Sequence, residues 1–307
     1  MTSMTSAANT IDCRMLCACG CAYGIDDGGN YSPLSPYTEG VGWDSAHPPQ
    51  PIVAGAANIN ACLVGVNHDD GIIVAFRGTV LPIPVTLTSI LDWWQDIIDS
   101  KPRTEPHIPG KVHCGFADAV ETLWQPLIGR VNELRTLYPE KRVYLTGHSK
   151  GGPMATISAA RMHFDPAVSP GSAKVFTFAS PHPGDSEFTG DFPLATIPVT
   201  RYENHLDIVP LVPPTDDFID IVEKIPLIGD LFKKAAGWDY AALGTRLFID
   251  KNFDVLSNQP DVTPAEFAKI ALRVIASHDG LVEVAMAHLN TCHHGYMSGT
   301  CPTGVCS

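Results

Sequence analysis

The chain has 307 residues, of which 45% are hydrophobic and 17% charged, and its formal net charge is -13. That balance allows a sizeable buried core and excludes a disordered or fibrous chain. The acidic excess disfavours nucleic acid and anionic membrane surfaces as partners, because both would repel it at long range.

In chain order, the first residues (MTSMTSAANTIDCRM) lack the basic region and apolar run of a secretory signal, so localisation stays open, secretion after signal removal included. Nine cysteines (13, 17, 19, 21, 62, 114, 292, 301 and 306) gather mostly at the two ends of the chain, as a terminal disulfide staple in an oxidising compartment would require. Cys292, His293 and His294 also permit a metal reading, but their spacings match no common zinc motif, and no metal or cofactor is expected. Residues 44–59, rich in Pro, Gly and Asn, predict a surface loop.

Short apolar or β-branched runs at 61–66, 72–76, 143–146, 174–178 and 199–202, each bounded by turn residues, predict buried strands. Helical patterns fall between and after them at 91–98, 116–137, 151–163 and 264–277. Strands alternating with helices predict an α/β fold with a central, mostly parallel sheet covered by helices on both faces. Residues 210–217 carry three prolines and predict a loop, and 218–238 predicts a broken helical region around Pro226 and Gly229. No repeat, charge block or low-complexity linker divides the chain, so residues 1–307 are expected to form one domain. No transmembrane segment is expected; the uncharged run 80–91 is too short and too interrupted by Pro82 and Pro84 to span a bilayer.

The strongest local signal is VYLT followed by Gly147, His148, Ser149, Lys150 and Gly151 and then an Ala-rich helical run. Strand, G-x-S-x-G, helix is the context of a nucleophile elbow, in which a sharp turn exposes the serine hydroxyl at a helix N-terminus. The flanking glycines remove side chains that would collide with strand and helix. The helix amides and dipole at that terminus favour a developing oxyanion. A phosphate-binding loop is excluded, since the G-x-x-x-x-G-K spacing is missing.

With these residues in place, the chain resembles the class 3 lipases, the family of the filamentous-fungal triacylglycerol lipases. The blocks that carry the resemblance are, in order, ACLVGV and IIVAFRGT (61–66 and 72–79), DWWQDI (92–97), VHCGF (112–116), VYLTGHSKGG (143–152), FASPHPGD (178–185), RYENHLDIVPLVPP (201–214) and HHGYM (293–297). Residues 216–277 match poorly and are longer than in compact members.

The resemblance implies an α/β-hydrolase fold and a triad of Ser149 as nucleophile, Asp207 as carboxylate and His293 as base. The order Ser, Asp, His is the one this fold requires. Glu203 and Asp185 are rival carboxylates. His278, His288 and His294 share the C-terminal region with His293, and the family's His-x-x-Tyr pattern, here His293 with Tyr296, makes the choice. His288, in a helix-like run, reads as a packed or solvent-facing histidine.

Thr79 matches the family's first oxyanion donor, and the backbone N–H of Lys150 supplies the second. Many fungal members carry Leu where this chain has Lys150. Its ammonium would either favour phosphate-bearing substrates, a phospholipase reading, or pair outwards with a surface carboxylate. The family also commonly ties its N-terminal helix to the chain end, which implies a bridge from one of Cys13, Cys17, Cys19 or Cys21 to Cys301 or Cys306.

Between Thr79 and Trp93 the family places a mobile lid. Here seven of the twelve residues from Val80 to Leu91 are Val, Leu or Ile, with Leu81, Ile83, Val85, Leu87, Ile90 and Leu91 as candidate lid and substrate contacts. The expected activity is therefore ester hydrolysis through an acyl-enzyme, on triacylglycerol at a lipid–water interface. Small soluble or aromatic esters are the alternative, and a non-enzymatic binding protein on the same fold is disfavoured by the full set of catalytic candidates.

Overall fold

In the computed structural model, the described residues are 9–80, 95, 97–98, 100–168, 171–216, 218–219, 233–260, 262–302 and 305. Strand β1 (Gln50–Ala54) is followed by β2 (Asn60–Asn67), β3 (Gly71–Phe76), β4 (Pro102–Glu105), β5 (Ile108–His113) and β6 (Arg142–His148). After these come β7 (Ala173–Phe178), β8 (Gly184–Asp185), β9 (Val199–Asn204), β10 (Tyr240–Ala241), β11 (Thr245–Ile249) and β12 (Val255–Ser257). Eight strands hydrogen-bond in the order β1-β2-β3-β6-β7-β9-β11-β12. The inner run β3-β6-β7-β9-β11 is parallel, and β1, β2 and β12 extend it antiparallel at the edges. A separate four-stranded sheet, β10-β8-β5-β4, is antiparallel.

The period-2 alternation of the strands sorts side chains to two cores. Cys62, Val64 and Val66 of β2 and Ile72, Val74 and Phe76 of β3 join one apolar cluster, whereas Ala61, Leu63, Ile73 and Ala75 join the other. The first core is closed by two long helices, Cys114–Leu137 and Gly151–Phe164, through residues such as Leu123, Trp124, Met154 and Ile157. The second is closed by the N-terminal helix Ile11–Ala22, buried along most of its length, whose small residues Cys13, Cys17, Ala18 and Cys21 allow close packing.

All five expected strands are present, and the helices expected at 116–137, 151–163 and 264–277 are found at Cys114–Leu137, Gly151–Phe164 and Pro264–Ala276. The last begins at a capping box between Thr263 and Glu266. Residues 44–59 are not simply a surface loop: they contain β1, which pairs with β2. Of 91–98, Gln95, Ile97 and Ile98 are helical, and the other residues lie outside the described ones, as does most of 218–238. A further helix, His278–His288, follows directly after Pro264–Ala276, with Ser277 capping it through Gly280 N–H. Among the described residues no helix is long and apolar enough to cross a membrane.

Candidate active site

Strand β6 ends at His148, and Ser149 takes the turn into helix Gly151–Phe164 with φ of 55°. Such a left-handed conformation costs a non-glycine residue on the order of 1–3 kcal/mol and persists only where the surroundings over-determine it. They do so here. Ser149 N–H donates to Phe178 O at 2.9 Å, and Ser149 O accepts from Gly152 N–H at 2.8 Å. A Cβ on Gly147 would fall 2.0 Å from Gly151 O, and one on Gly151 would fall 2.3 Å from Phe76 O. The G-x-S-x-G glycines are thus demanded by backbone touching backbone. Ser149 Oγ is buried and has no hydrogen-bond partner among the described residues.

Asp207 stands three residues past the end of β9, with its carboxylate almost wholly buried. It accepts from Val209 N–H at 3.0 Å, from Tyr296 Oη at 2.7 Å, and from His288 Nδ1 at 3.0 and 3.1 Å. Because a carboxylate only accepts, His288 carries its proton on Nδ1 when neutral, and Nε2 becomes the basic nitrogen. Tyr296 Oη in turn accepts from Asn204 N–H at 3.1 Å. Burial and the neighbouring Asp207 push the Tyr296 hydroxyl well above its ordinary pKa, so it remains a donor.

The structure does not bring the expected base to Asp207. His293 is exposed, and it is His288, the last residue of the helix His278–His288, that reaches Asp207. His294 and His278 are exposed as well. Instead of packing as a bystander or facing solvent, His288 ends its helix buried beside Asp207 and His148, with its side chain 7% exposed. The rival carboxylates are engaged elsewhere. Glu203 is paired with Arg201 and Arg246, and Asp185 caps the helix Ser186–Asp191 while accepting from Lys111 N–H.

Thr79 follows β3 and Gly78, at the same end of the sheet as Ser149, and is partly buried. Lys150 is the N-cap of helix Gly151–Phe164, where backbone N–H groups lack intrahelical partners. Its side chain follows neither expected course. Nζ donates to the Asn60 side-chain carbonyl at 2.8 Å, and burial, with Arg77 nearby, lowers its pKa to about 8. The candidate lid residues Leu81, Ile83, Val85, Leu87, Ile90 and Leu91 lie outside the described residues, and Val80 before them is exposed.

Cys13 and Cys301 form a disulfide, one of the bridges that the resemblance implied. Cys13, Cys17 and Cys301 are the one group of metal-ligating side chains that converge among the described residues, and two of the three are bonded to each other.

A mostly parallel sheet, a serine on a strained strand-to-helix turn and an Asp–His pair beyond later strands define an α/β-hydrolase. Residues 73–217, which include Thr79, Ser149, Lys150 and Asp207, match the model of the family "Lipase (class 3)". That match ends before His288 and His293. A lipase of Rhizomucor miehei is 31% identical over 157 residues, which is 50% of this chain and 41% of that protein. A lipase of Rhizopus niveus is also 31% identical, over 52% of this chain and 38% of its own. The matched segment thus spans about two fifths of these relatives. A Rhizomucor miehei lipase–propeptide complex superposes with a TM-score of 0.56 at 21% identity, covering 80% of this chain and 68% of that one. A triacylglycerol lipase described as having a serine protease triad at its catalytic centre superposes at 0.58 and 21% identity, covering 78% and 79%. At that identity the likeness speaks to the fold.

Proposed function

We propose that the protein is a carboxylic ester hydrolase, a triacylglycerol lipase working through an acyl-enzyme on Ser149, with the whole chain as one catalytic unit. The observation that carries this reading is the buried Asp207–His288 pair at 3.0 Å together with Ser149 on its turn at φ 55°. As Ser149 Oγ attacks the ester carbonyl, His288 Nε2 takes its proton, and Asp207 stabilises the imidazolium. The N–H groups of Thr79 and Lys150 receive the developing oxyanion. Collapse expels the alcohol, protonated by His288, and water then enters by the same steps in reverse to release the acid. The lipase names of the relatives support acylglycerol as the substrate class.

The test is a panel of p-nitrophenyl esters from short to long chain, run beside emulsified triglyceride, with phosphonate labelling of the protein. Hydrolysis that rises above the substrate's solubility limit, with the phosphonate on Ser149, is expected. A rate that saturates on short soluble esters and shows no such rise would replace the lipase by a soluble-ester esterase. Replacing Leu81 and Ile83 with Ser should weaken triglyceride hydrolysis far more than short-ester hydrolysis if 80–91 is a lid.

A further inference from the structure

His148, the residue before the nucleophile, is fully buried and bonded at both ring nitrogens. Nε2 lies 2.6 Å from the backbone oxygen of His288, and Nδ1 lies 2.9 Å from Tyr23 Oη. Burial, reinforced by His288 nearby, lowers the pKa of His148 to about 3, so the ring is neutral across the working range. A carbonyl oxygen can only accept, so the single ring proton sits on Nε2 and points at His288 O. Nδ1 is then the acceptor, and Tyr23 O–H must be its donor.

Tyr23 Oη also packs closely against Gly78. A Cβ on Gly78 would stand 2.1 Å from Tyr23 Oη and 2.7 Å from His148 O, so glycine is what lets these three groups meet. The donors therefore run in one direction: Tyr23 O–H to His148 Nδ1, then His148 Nε2–H to His288 O. One end of this chain, Tyr23, abuts Gly78, the residue before Thr79, the candidate oxyanion donor. The other end is the backbone of the candidate base. Between them lies the residue bonded to Ser149.

We infer that Tyr23 and His148 are positioning residues, which lock the oxyanion loop and the backbone of His288 into one frame around Ser149. His288 is then held twice, by Asp207 through its side chain and by His148 through its carbonyl. Tyr23 sits at the C-terminal end of the helix Ile11–Ala22, so the N-terminal helix takes part in holding the site. Misplacing a base by about 1 Å can cost roughly a hundredfold in rate, which gives such a frame its value.

This inference rests on the ester-hydrolase reading, and the experiment separates the two. Active sites are titrated with a chromogenic phosphonate, and kcat is expressed per titrated site for the unmodified protein, Tyr23→Phe, His148→Leu and His148→Gln. Tyr23→Phe and His148→Leu should each lose roughly tenfold or more in kcat per site with KM within about twofold. His148→Gln, whose amide can still donate to His288 O, should recover most of that loss. A merely structural role would lower the titratable fraction or the melting temperature and leave kcat per site unchanged, and that result overturns the inference alone. A protein inert to phosphonate overturns the hydrolase reading and the positioning role with it. Nitrogen-15 NMR of the unmodified protein gives a check without catalysis: His148 should be neutral and protonated on Nε2, and an Nδ1–H ring would refute the hydrogen-bond order.

Discussion

His288 and Tyr296, eight residues apart in the chain, bond to the same carboxylate, that of Asp207, at 3.0 and 2.7 Å. The intervening residues 289–295 bulge away, with His293 and His294 in water, and the chain returns when Tyr296 N–H donates to Leu289 O at 3.0 Å. His288→Ala should therefore lower kcat/KM by about 10⁴-fold or more, whereas His293→Ala and His294→Ala should stay within a few-fold of the unmodified protein. Steady-state kinetics on one soluble ester decides it. The reverse ranking would return the base to His293.

Tyr296→Phe removes a buried hydroxyl and leaves Asn204 N–H and one lobe of Asp207 short of a partner. A loss of about 1–3 kcal/mol in stability is expected, measured by urea unfolding. Turnover should fall as well, because Asp207 loses one of the contacts that hold it against His288.

Replacement of Ser149 by Ala should abolish esterase activity, and replacement by Gly should do so while raising stability. Glycine adopts φ near 55° without the penalty a side chain carries there, so Ser149→Gly should unfold about 1 kcal/mol later than Ser149→Ala. Equal midpoints for the two variants would show that the turn stores no strain.

His148 makes stability depend on acid. Its folded pKa is lowered from 6.5 to about 3, so between those values the unfolded chain binds a proton that the folded chain refuses. Stability must fall as pH is lowered through that window and is unaffected by His148 above it. The unfolding free energy of His148→Gln should accordingly decline less between pH 6.5 and 4 than that of the unmodified protein. Parallel curves would place the acid sensitivity elsewhere.

The Cys13–Cys301 bridge joins residues 288 apart and ties the helix Ile11–Ala22 to the far end of the chain. Replacing both cysteines by Ala should cost about 2 to 4 kcal/mol, seen as a lower urea midpoint. Because Tyr23 lies on the same helix, kcat per titrated site should also become more sensitive to temperature in that variant.

Local rules made much of this protein legible in its sequence. Short apolar or β-branched runs bounded by turns located five strands inside the sheet, since a strand buried on both faces needs little beyond its own residues. The elbow was equally legible, because Gly147, Ser149 and Gly151 answer to contacts within one tight turn and the strand beside it. Asp207 came from the resemblance, and its place after β9 agreed with it. The histidine beside Asp207 was not legible in the same way, because nothing local distinguishes His288 from His293. The resemblance placed a histidine three residues before Tyr296, and this chain spends eight on the same return to Asp207. Only the tertiary contacts at the C-terminal end of the helix His278–His288, with Asp207 and His148, decide which ring is buried beside the carboxylate. The same holds for β1, which is a strand because β2 offers it a partner, and for Lys150, whose ammonium finds Asn60 across the sheet. The hydrogen bonds of Tyr23 and His148 join residues 125 and 140 positions apart, so no spacing in the sequence could have announced them.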